Sequence, residues 1–573
     1  MQVEDKMIIE WDVAIPMDDG VMLRADVFRP LGEAKVPVLL SYGPYGKGLS
    51  FQEGYPTAWQ IMAEQHPDAL EGSSNRYQNW ETADPEKWVP HGYALIRIDS
   101  RGAGRSPGYL DPHAPREIDD IEQCIQWVSN QPWSNGKVGM SGISYYASNQ
   151  WRTAARRPPA LAAICVWEGY NDRYRDATRH GGILCSFSRN WAEMQVKTVQ
   201  HGRGERGARS PITGELVAGP ETIPEDTLAE NRANIWPEFQ RERLDGPLYQ
   251  NRSANLHDID VPLLSCGNWG GQGLHLRGNV EGFLQAGSRQ KWLEMHGGTH
   301  WAVYYTDYAV ALQREFFDHF LKGIDNGWDQ QKPVRLQVRH IDGFRERFEF
   351  EWPIARTEWT KLYLHPDGTL KDSPAKVEAD LAYAPLENGH RFLSEPFTEE
   401  TEITGPSAAK LFLSSDSEDA DVFLVLHLID PNGEEVTFQG ALDPHTPLAQ
   451  GWLRASHRAL DPARSLPYRP CHTHTDEQPL RSGQRVELDV EILPTSIVVP
   501  AGYRLGLSVL GKDYEHAGEG ASLSNMKNVM RGCGPFLHDD PDDRPASVFG
   551  GTCRLHFGKD AAPYVLLPRI PKA

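Results

Sequence analysis

Long apolar runs are missing from this sequence. No stretch approaches the roughly 20 consecutive apolar residues that a membrane-spanning helix requires, so none is expected. Positive charge is in short supply: 58 Lys and Arg stand against 79 Asp and Glu, a net charge of −21. That balance argues against a basic nucleic-acid-binding face and against docking on anionic membrane, and it favours solubility. Cysteine is scarce. Seven are scattered at 124, 165, 185, 266, 471, 533 and 553, an odd number with no C-x-x-C pair. They read as buried thiols of a protein in a reducing cytoplasm, not as a disulfide framework. The close histidine pair His472-Thr473-His474 has no further ligands near it in sequence, so neither a metal site nor a cofactor is expected. The glycines of Ser100-Arg101-Gly102-Ala103-Gly104-Arg105-Ser106-Pro107-Gly108 match neither a G-x-G-x-x-G nor a Walker pattern, and read as a turn across a strand end. The first residues, Met1 to Lys6, lack the basic and apolar regions of a secretory leader, so none is expected. Repeats and low-complexity tracts are absent too.

What is present is a chain of 573 residues, 39% apolar, long enough for two or three globular domains. Up to about residue 325, apolar strand runs alternate with helical patterns. A hairpin is predicted over residues 7–29, turning at Asp18-Asp19-Gly20. Buried strands follow at Val36–Leu40, Tyr93–Asp99, Leu161–Trp167, Val261–Cys266 and Lys291–His296. Helical periods cover Ile118–Trp133, Tyr145–Arg157 and Tyr304–Leu321. This alternation predicts a mostly parallel α/β sheet. Residues 170–255 are rich in Arg, Trp, Asn and Glu and read as an inserted helical cap. From about 330 the period changes to two, as in Val422–Leu428 and Arg485–Val490, with Asp-Gly and Asn-Gly turns between runs. That pattern predicts an all-β sandwich of jelly-roll type. The expected division is 1–169 and 256–328 for the α/β core, 170–255 for the cap and 329–573 for the β-sandwich.

The stretch on which the rest turns is Val138-Gly139-Met140-Ser141-Gly142-Ile143-Ser144-Tyr145-Tyr146-Ala147. A short apolar strand runs into a bend of small residues, and a helical pattern leaves it. A serine at such a strand–turn–helix bend is held in a strained conformation with its hydroxyl exposed, the nucleophile elbow. Tyr146 stands where the short form G-x-S-x-G would place glycine. Ser141 falls inside the strand run, so Ser144 is the expected nucleophile. It needs a base and an oxyanion hole. The histidine after the last strand is His300, on the loop Gly297-Gly298-Thr299-His300; His296 is its rival but falls within the strand. The backbone N–H of Tyr145 is one expected oxyanion donor.

With these residues placed, the sequence resembles the cocaine esterase and X-prolyl dipeptidyl peptidase family, the CocE/NonD hydrolases. The resemblance covers nearly the whole chain. It rests on Gly43-Pro44-Tyr45, Asp99–Ser106, Gly142-Ile143-Ser144-Tyr145, Phe317–Gly323 and the β-rich C-terminal half. It implies an α/β-hydrolase sheet with an inserted cap, followed by a galactose-binding-like jelly roll that covers the active site. It further implies that Tyr45 donates its phenol O–H to the oxyanion. One departure is plain. The family places its acid after the strand matching Val261–Cys266, in a Trp-x-Asp or Trp-Asp setting, whereas this chain reads Trp269-Gly270-Gly271. The acid is then expected at Glu168, at the carboxyl end of the neighbouring strand, with Asp172 second. The alternative reading of Glu168 is an ion pair with a cap arginine such as Arg173 or Arg175.

Together these residues imply a serine hydrolase that cleaves an ester or amide of a small acyl substrate through a Ser144 acyl-enzyme. Acyl transfer, X-prolyl dipeptidyl peptidase activity and ligand binding without turnover stand as alternatives. The last is favoured by the missing aspartate and opposed by Ser144, His300 and Tyr45. The expected partner is a small-molecule ester or amide, with no nucleic acid or membrane; a homodimer stays open. Trp167, Tyr170, Trp191, Trp269 and Trp301 suggest an apolar pocket.

Overall fold

The computed structural model describes residues 2–572. Its N-terminal part is built on an eleven-stranded sheet. Seven strands run parallel, in the order Ala94–Asp99, Val36–Gly43, Ser134–Ile143, Leu161–Trp167, Leu263–Asn268, Lys291–His296 and Val334–His340. Their near-continuous burial reflects helices on both faces, as parallel sheets require. The predicted N-terminal hairpin, Met7–Pro16 with Met22–Pro30, joins one edge antiparallel. At the other edge Gly343–Glu349 pairs antiparallel with Val334–His340, so the sheet continues past residue 329.

The two helices flanking the elbow strand show why this sequence folds as it does. Pro115–Ser129 begins with proline at its first position, where no N–H is needed, and buries Ile118, Ile121, Cys124, Ile125 and Val128 along one face. Tyr145–Ala155 is buried nearly all round because it lies between the sheet and the cap.

The C-terminal part is a twelve-stranded all-β structure with its own core, led by Leu411, Leu424, Leu426, Leu488, Val490, Leu507 and Val565. Its longest pairing joins Thr401–Ser415 to Val486–Val499. The two parts share a continuous apolar seam. Trp269, Val280, Leu336, Phe423, Trp452 and Val498 pack in one cluster, so the β-structure is fixed against the strand ends of the sheet. All seven cysteines are buried free thiols. No helix among the described residues is long and apolar enough to cross a membrane.

Candidate active site

The carboxyl ends of four adjacent strands carry the site, the position where open α/β sheets bind ligands. Ser144 follows Ile143, Glu168 follows Trp167, Asn268 ends its strand and His296 ends the next, with His300 on the loop beyond. Register brings Ile143 opposite Trp167 and Asn268 opposite His296.

Ser144 has φ 58° and ψ −108°, a left-handed conformation that a non-glycine residue adopts only under constraint. Ser144 N–H donates to the Trp167 and Glu168 carbonyls, and the Ser144 carbonyl accepts from Ala147 and Ser148, which locks the turn. Gly142, at φ 146°, makes the bend possible, since a Cβ there would collide with Tyr146. Ser141 stays inside the sheet. Its hydroxyl lies 2.7 Å from the Tyr304 hydroxyl and 3.0 Å from Gln313 Oε1, away from the cavity.

Glu168 also has positive φ, 50°, and is fully buried. Its Oε2 lies 2.7 Å from His300 Nδ1. Its Oε1 accepts from Asn268 Nδ2 at 3.1 Å and lies 3.2 Å from His296 Nε2. Burial opposes a charge here, but the His300 charge and the hydrogen bonds from His296 and His300 hold the carboxyl well below the usual range. The ion-pair reading of Glu168 is corrected. Arg175 pairs with Asp172 and Asp245, while Arg173 bonds the Tyr170 and Ser188 hydroxyls. Asp172, the second candidate acid, accepts from the Arg175 backbone and holds its guanidinium at 3.0 Å.

Two partners of this cluster were not legible beforehand. The first is Glu81, whose Oε1 lies 3.0 Å from His300 Nε2. Burial pushes Glu81 up to about 6 against the lowering effect of His300. Burial disfavours the charged form of His300, but the carboxylates of Glu168 and Glu81 on either side overcome this and push it up to about 10. The resting imidazole is therefore charged and turned to Glu81, not to Ser144. The second is His275, whose Nε2 lies 3.0 Å from Ser144 Oγ. Its ring stacks on His300 with centroids 5.4 Å apart and planes 7° apart. Tyr170 N–H donates to His275 Nδ1 at 3.2 Å, so that nitrogen carries a lone pair. The proton of the neutral ring then sits on Nε2 and points at Ser144 Oγ. In this tautomer His275 donates to the serine and cannot take its proton. Burial and the neighbouring His300 charge push His275 well below its ordinary value, which keeps it neutral.

One of the two glycines in place of the expected aspartate, Gly270, has a physical reason. A Cβ on Gly270 would strike Gly440 and Ala441. Ala441 N–H donates to the Gly270 carbonyl at 3.1 Å, and the Ala441 carbonyl accepts from His300 N–H at 2.8 Å. A loop of the β-structure thus occupies the space an acid would fill. Asn268 takes part of that role, bridging Glu168 to the Gly298 carbonyl at 2.9 Å.

Tyr45 faces the same cavity as Ser144. Its oxygen accepts from Trp191 Nε1 at 3.0 Å, which leaves its own proton free to donate. Burial, then the nearby Glu81 charge, push this phenol far up, so it remains a donor. Tyr145 begins the helix that leaves the elbow, with its backbone N–H among the unsatisfied donors of the first turn. The room at the centre of the cavity is about 50 Å³. Its walls include Trp80, Tyr170, Phe187, Trp191, Leu442 and Phe536. Of the five aromatics expected there, Trp167, Trp269 and Trp301 are instead fully buried in the core.

Residues 19–302 match the model of the X-Pro dipeptidyl-peptidase (S15 family), and residues 326–525 match the X-Pro dipeptidyl-peptidase C-terminal non-catalytic domain. A CocE/NonD family hydrolase from Staphylococcus aureus, known from a crystal structure, superposes with a TM-score of 0.83 at 30% identity, over 98% of this chain and 94% of that one. The chain belongs to the CocE/NonD family of hydrolases. The cocaine esterase of Rhodococcus sp. is 24% identical over the full length of both chains. An aminopeptidase from a Thaumarchaeota archaeon of marine sediment shares the fold, with a TM-score of 0.69 at 16% identity and 99% and 97% coverage. This CocE/NonD member is a serine hydrolase of ester or amide bonds, with an α/β-hydrolase domain and a C-terminal non-catalytic all-β domain.

Proposed function

We propose that this hydrolase cleaves an ester or amide of a small acyl group through an acyl-enzyme on Ser144, with His300 as base and Glu168 as the acid of the triad. The observation that carries the reading is the 2.7 Å contact between Glu168 Oε2 and His300 Nδ1 beside a strained Ser144. Glu168 fixes the His300 proton on Nδ1, leaving Nε2 to act as base once the ring is neutral. The ring then turns from Glu81 to Ser144 Oγ, beside the parallel ring of His275. The serine attacks the carbonyl carbon, and His300 Nε2 takes its proton. The Tyr45 O–H and the Tyr145 N–H stabilise the oxyanion. His300 returns the proton to the departing alcohol or amine, and water repeats the sequence to release the acid.

His275 holds the serine oxygen with its Nε2–H and leaves the serine proton free for His300. The small aromatic cavity favours a compact apolar acyl group. Seven buried free thiols support a cytoplasmic setting, where such thiols persist. The net charge of −21 favours a small-molecule substrate over nucleic acid.

The test is fluorophosphonate labelling with a panel of p-nitrophenyl esters and amides of increasing acyl length. Wild type should label and turn over short acyl groups; Ser144→Ala should do neither and keep its fold. Labelling that survives Ser144→Ala would refute the assignment.

A further inference from the structure

A second cluster of chemistry-bearing side chains lies behind the cavity wall. His180, Cys185 and His538 are all buried, and one potential ligand atom from each lies within 4.8 Å of the other two. They come from two different parts of the chain. His180 belongs to the small hairpin Arg179–His180 with Ile183–Leu184 in the cap, and Cys185 follows it directly. His538 sits on a long loop of the β-structure.

With both imidazoles neutral, the hydrogen-bond chain through the two rings does not close. The Asp176 carbonyl faces His180 Nε2 at 3.1 Å; His180 Nδ1 faces His538 Nε2 at 2.9 Å; His538 Nδ1 faces Asp513 Oδ1 at 2.7 Å. Those are three contacts, and each needs one hydrogen, carried by one of its two atoms. Two neutral imidazoles supply only two N–H donors. When the outer contacts take them, both inner nitrogens present lone pairs to each other across 2.9 Å. A third proton on one ring or a metal ion between the two nitrogens resolves the mismatch, and the Cys185 sulfur within 4.8 Å of both nitrogens supplies the further ligand that a metal ion needs. The outer arrangement is the one metal-binding histidines adopt, each ring donating its far N–H to a carbonyl or carboxylate. Asp513 is itself fixed, since its Oδ2 accepts the His538 backbone N–H at 2.7 Å.

We propose that His180 Nδ1, His538 Nε2 and the Cys185 thiolate form a binding site for a divalent transition-metal ion, with Zn²⁺ the best match. Two imidazole nitrogens and a thiolate are a zinc donor set, with the fourth position left to water or a carbonyl. Zn–N bonds of about 2.0–2.1 Å reach both nitrogens at their present spacing, and opening that spacing by about 0.4 Å gives a tetrahedral angle. On binding, the Cys185 thiol releases its proton to solvent. The ion's two positive charges are then balanced by the thiolate and the Asp513 carboxylate.

The ion would pin the cap to the β-structure. The two segments already meet there. Ser186 N–H donates to the Leu537 carbonyl at 2.8 Å, and Phe187 packs on Phe536 with ring centroids 5.0 Å apart. Phe187 and Phe536 both line the Ser144 cavity, so the site would stiffen that wall without touching the reacting atoms.

Full-length protein, stripped with a chelator, is titrated with Co²⁺ and then with Zn²⁺. Wild type should bind about one Co²⁺ per chain with a thiolate-to-cobalt charge-transfer band, which Zn²⁺ abolishes. Zn²⁺ should raise the Tm of stripped wild type and leave that of Cys185→Ser unchanged. Ser144→Ala should give the wild-type cobalt spectrum, which separates this site from the catalytic assignment. A wild-type protein without the band overturns the proposal even if the variants fail to fold. So does a band that persists in Cys185→Ser, because the thiolate would then belong to another cysteine.

Discussion

His300 lies between two carboxylates, and the effect of removing one of them can be worked out in advance. Glu168 and Glu81 both stabilise the charged imidazolium and together push it up to about 10. A base must be neutral to take the serine proton, so activity should rise with pH along a limb set by His300. Glu81→Gln keeps the side chain's size and removes one of the two charges. Loss of an opposite charge in direct contact moves a group by about 1–3 pH units, so the acid limb of kcat/KM should fall by at least about one unit. At a pH one unit below the original limb, a one-unit displacement then raises the neutral fraction of His300 from about 9% to about 50%, roughly fivefold, and a larger displacement adds at most about another twofold. The assay is the pH profile of fluorophosphonate inactivation and of kcat/KM on an uncharged p-nitrophenyl ester. The probe and ester carry no ammonium group, so any effect on them cannot come from a lost substrate anchor. A limb that stays in place or moves up in Glu81→Gln would mean that Glu81 does not contact the titrating base.

Glu168→Gln should also lower the His300 limb, but it should cut kcat by roughly 10³–10⁴-fold with intact circular dichroism, because the tautomer anchor is lost; activity within threefold of wild type would remove Glu168 from the triad. The amide cannot serve both sides of the site: its one oxygen can accept from His300 or from Asn268 and His296, and its NH₂ then faces a donor. Tyr45→Phe should lower kcat by on the order of 100–1000-fold with little change in KM, whereas a loss confined to KM would make Tyr45 a binding residue only. Gly270→Asp, which places an acid at one of the two positions where the family resemblance leads one to expect it, should lower the Tm by the equivalent of about 1–3 kcal/mol through collision with Gly440 and Ala441, and should not rescue Glu168→Gln. A stable Gly270→Asp protein would mean that the 440–441 loop moves freely.

Much of the framework was readable from period alone. The apolar run into Ser144, the helix out of it and the switch to period two beyond residue 330 each reflect burial on one or both faces of an element, and burial leaves a local trace in sequence. The contact between Glu168 and His300 was readable because it follows from strand order. Glu168 ends the strand next to the elbow and His300 lies on the loop two strands further on, with only Leu263–Asn268 between them, so the two side chains meet across the end of that strand. Glu81 and His275 left no such trace. Both sit in irregular segments, and what places them is long-range contact: the Glu81 carbonyl accepts the Ile143 N–H, and His275 takes the Tyr170 N–H.

The loop at Gly440-Ala441 links these observations. It belongs to the all-β part, yet its backbone bonds both Gly270 and His300, and Ala441 and Leu442 line the cavity. Its approach leaves no room for a side chain at residue 270, so packing excludes an acid at that position. The carboxylate in contact with His300 lies instead at the adjacent strand end, at Glu168, where Asn268 and His296 satisfy its other oxygen. Gly270 and Glu168 thus meet at His300: the loop that fills the space beside Gly270 also bonds the His300 backbone, and Glu168 bonds the His300 ring. What bars an aspartate at 270 is a β-domain that presses close to the strand ends.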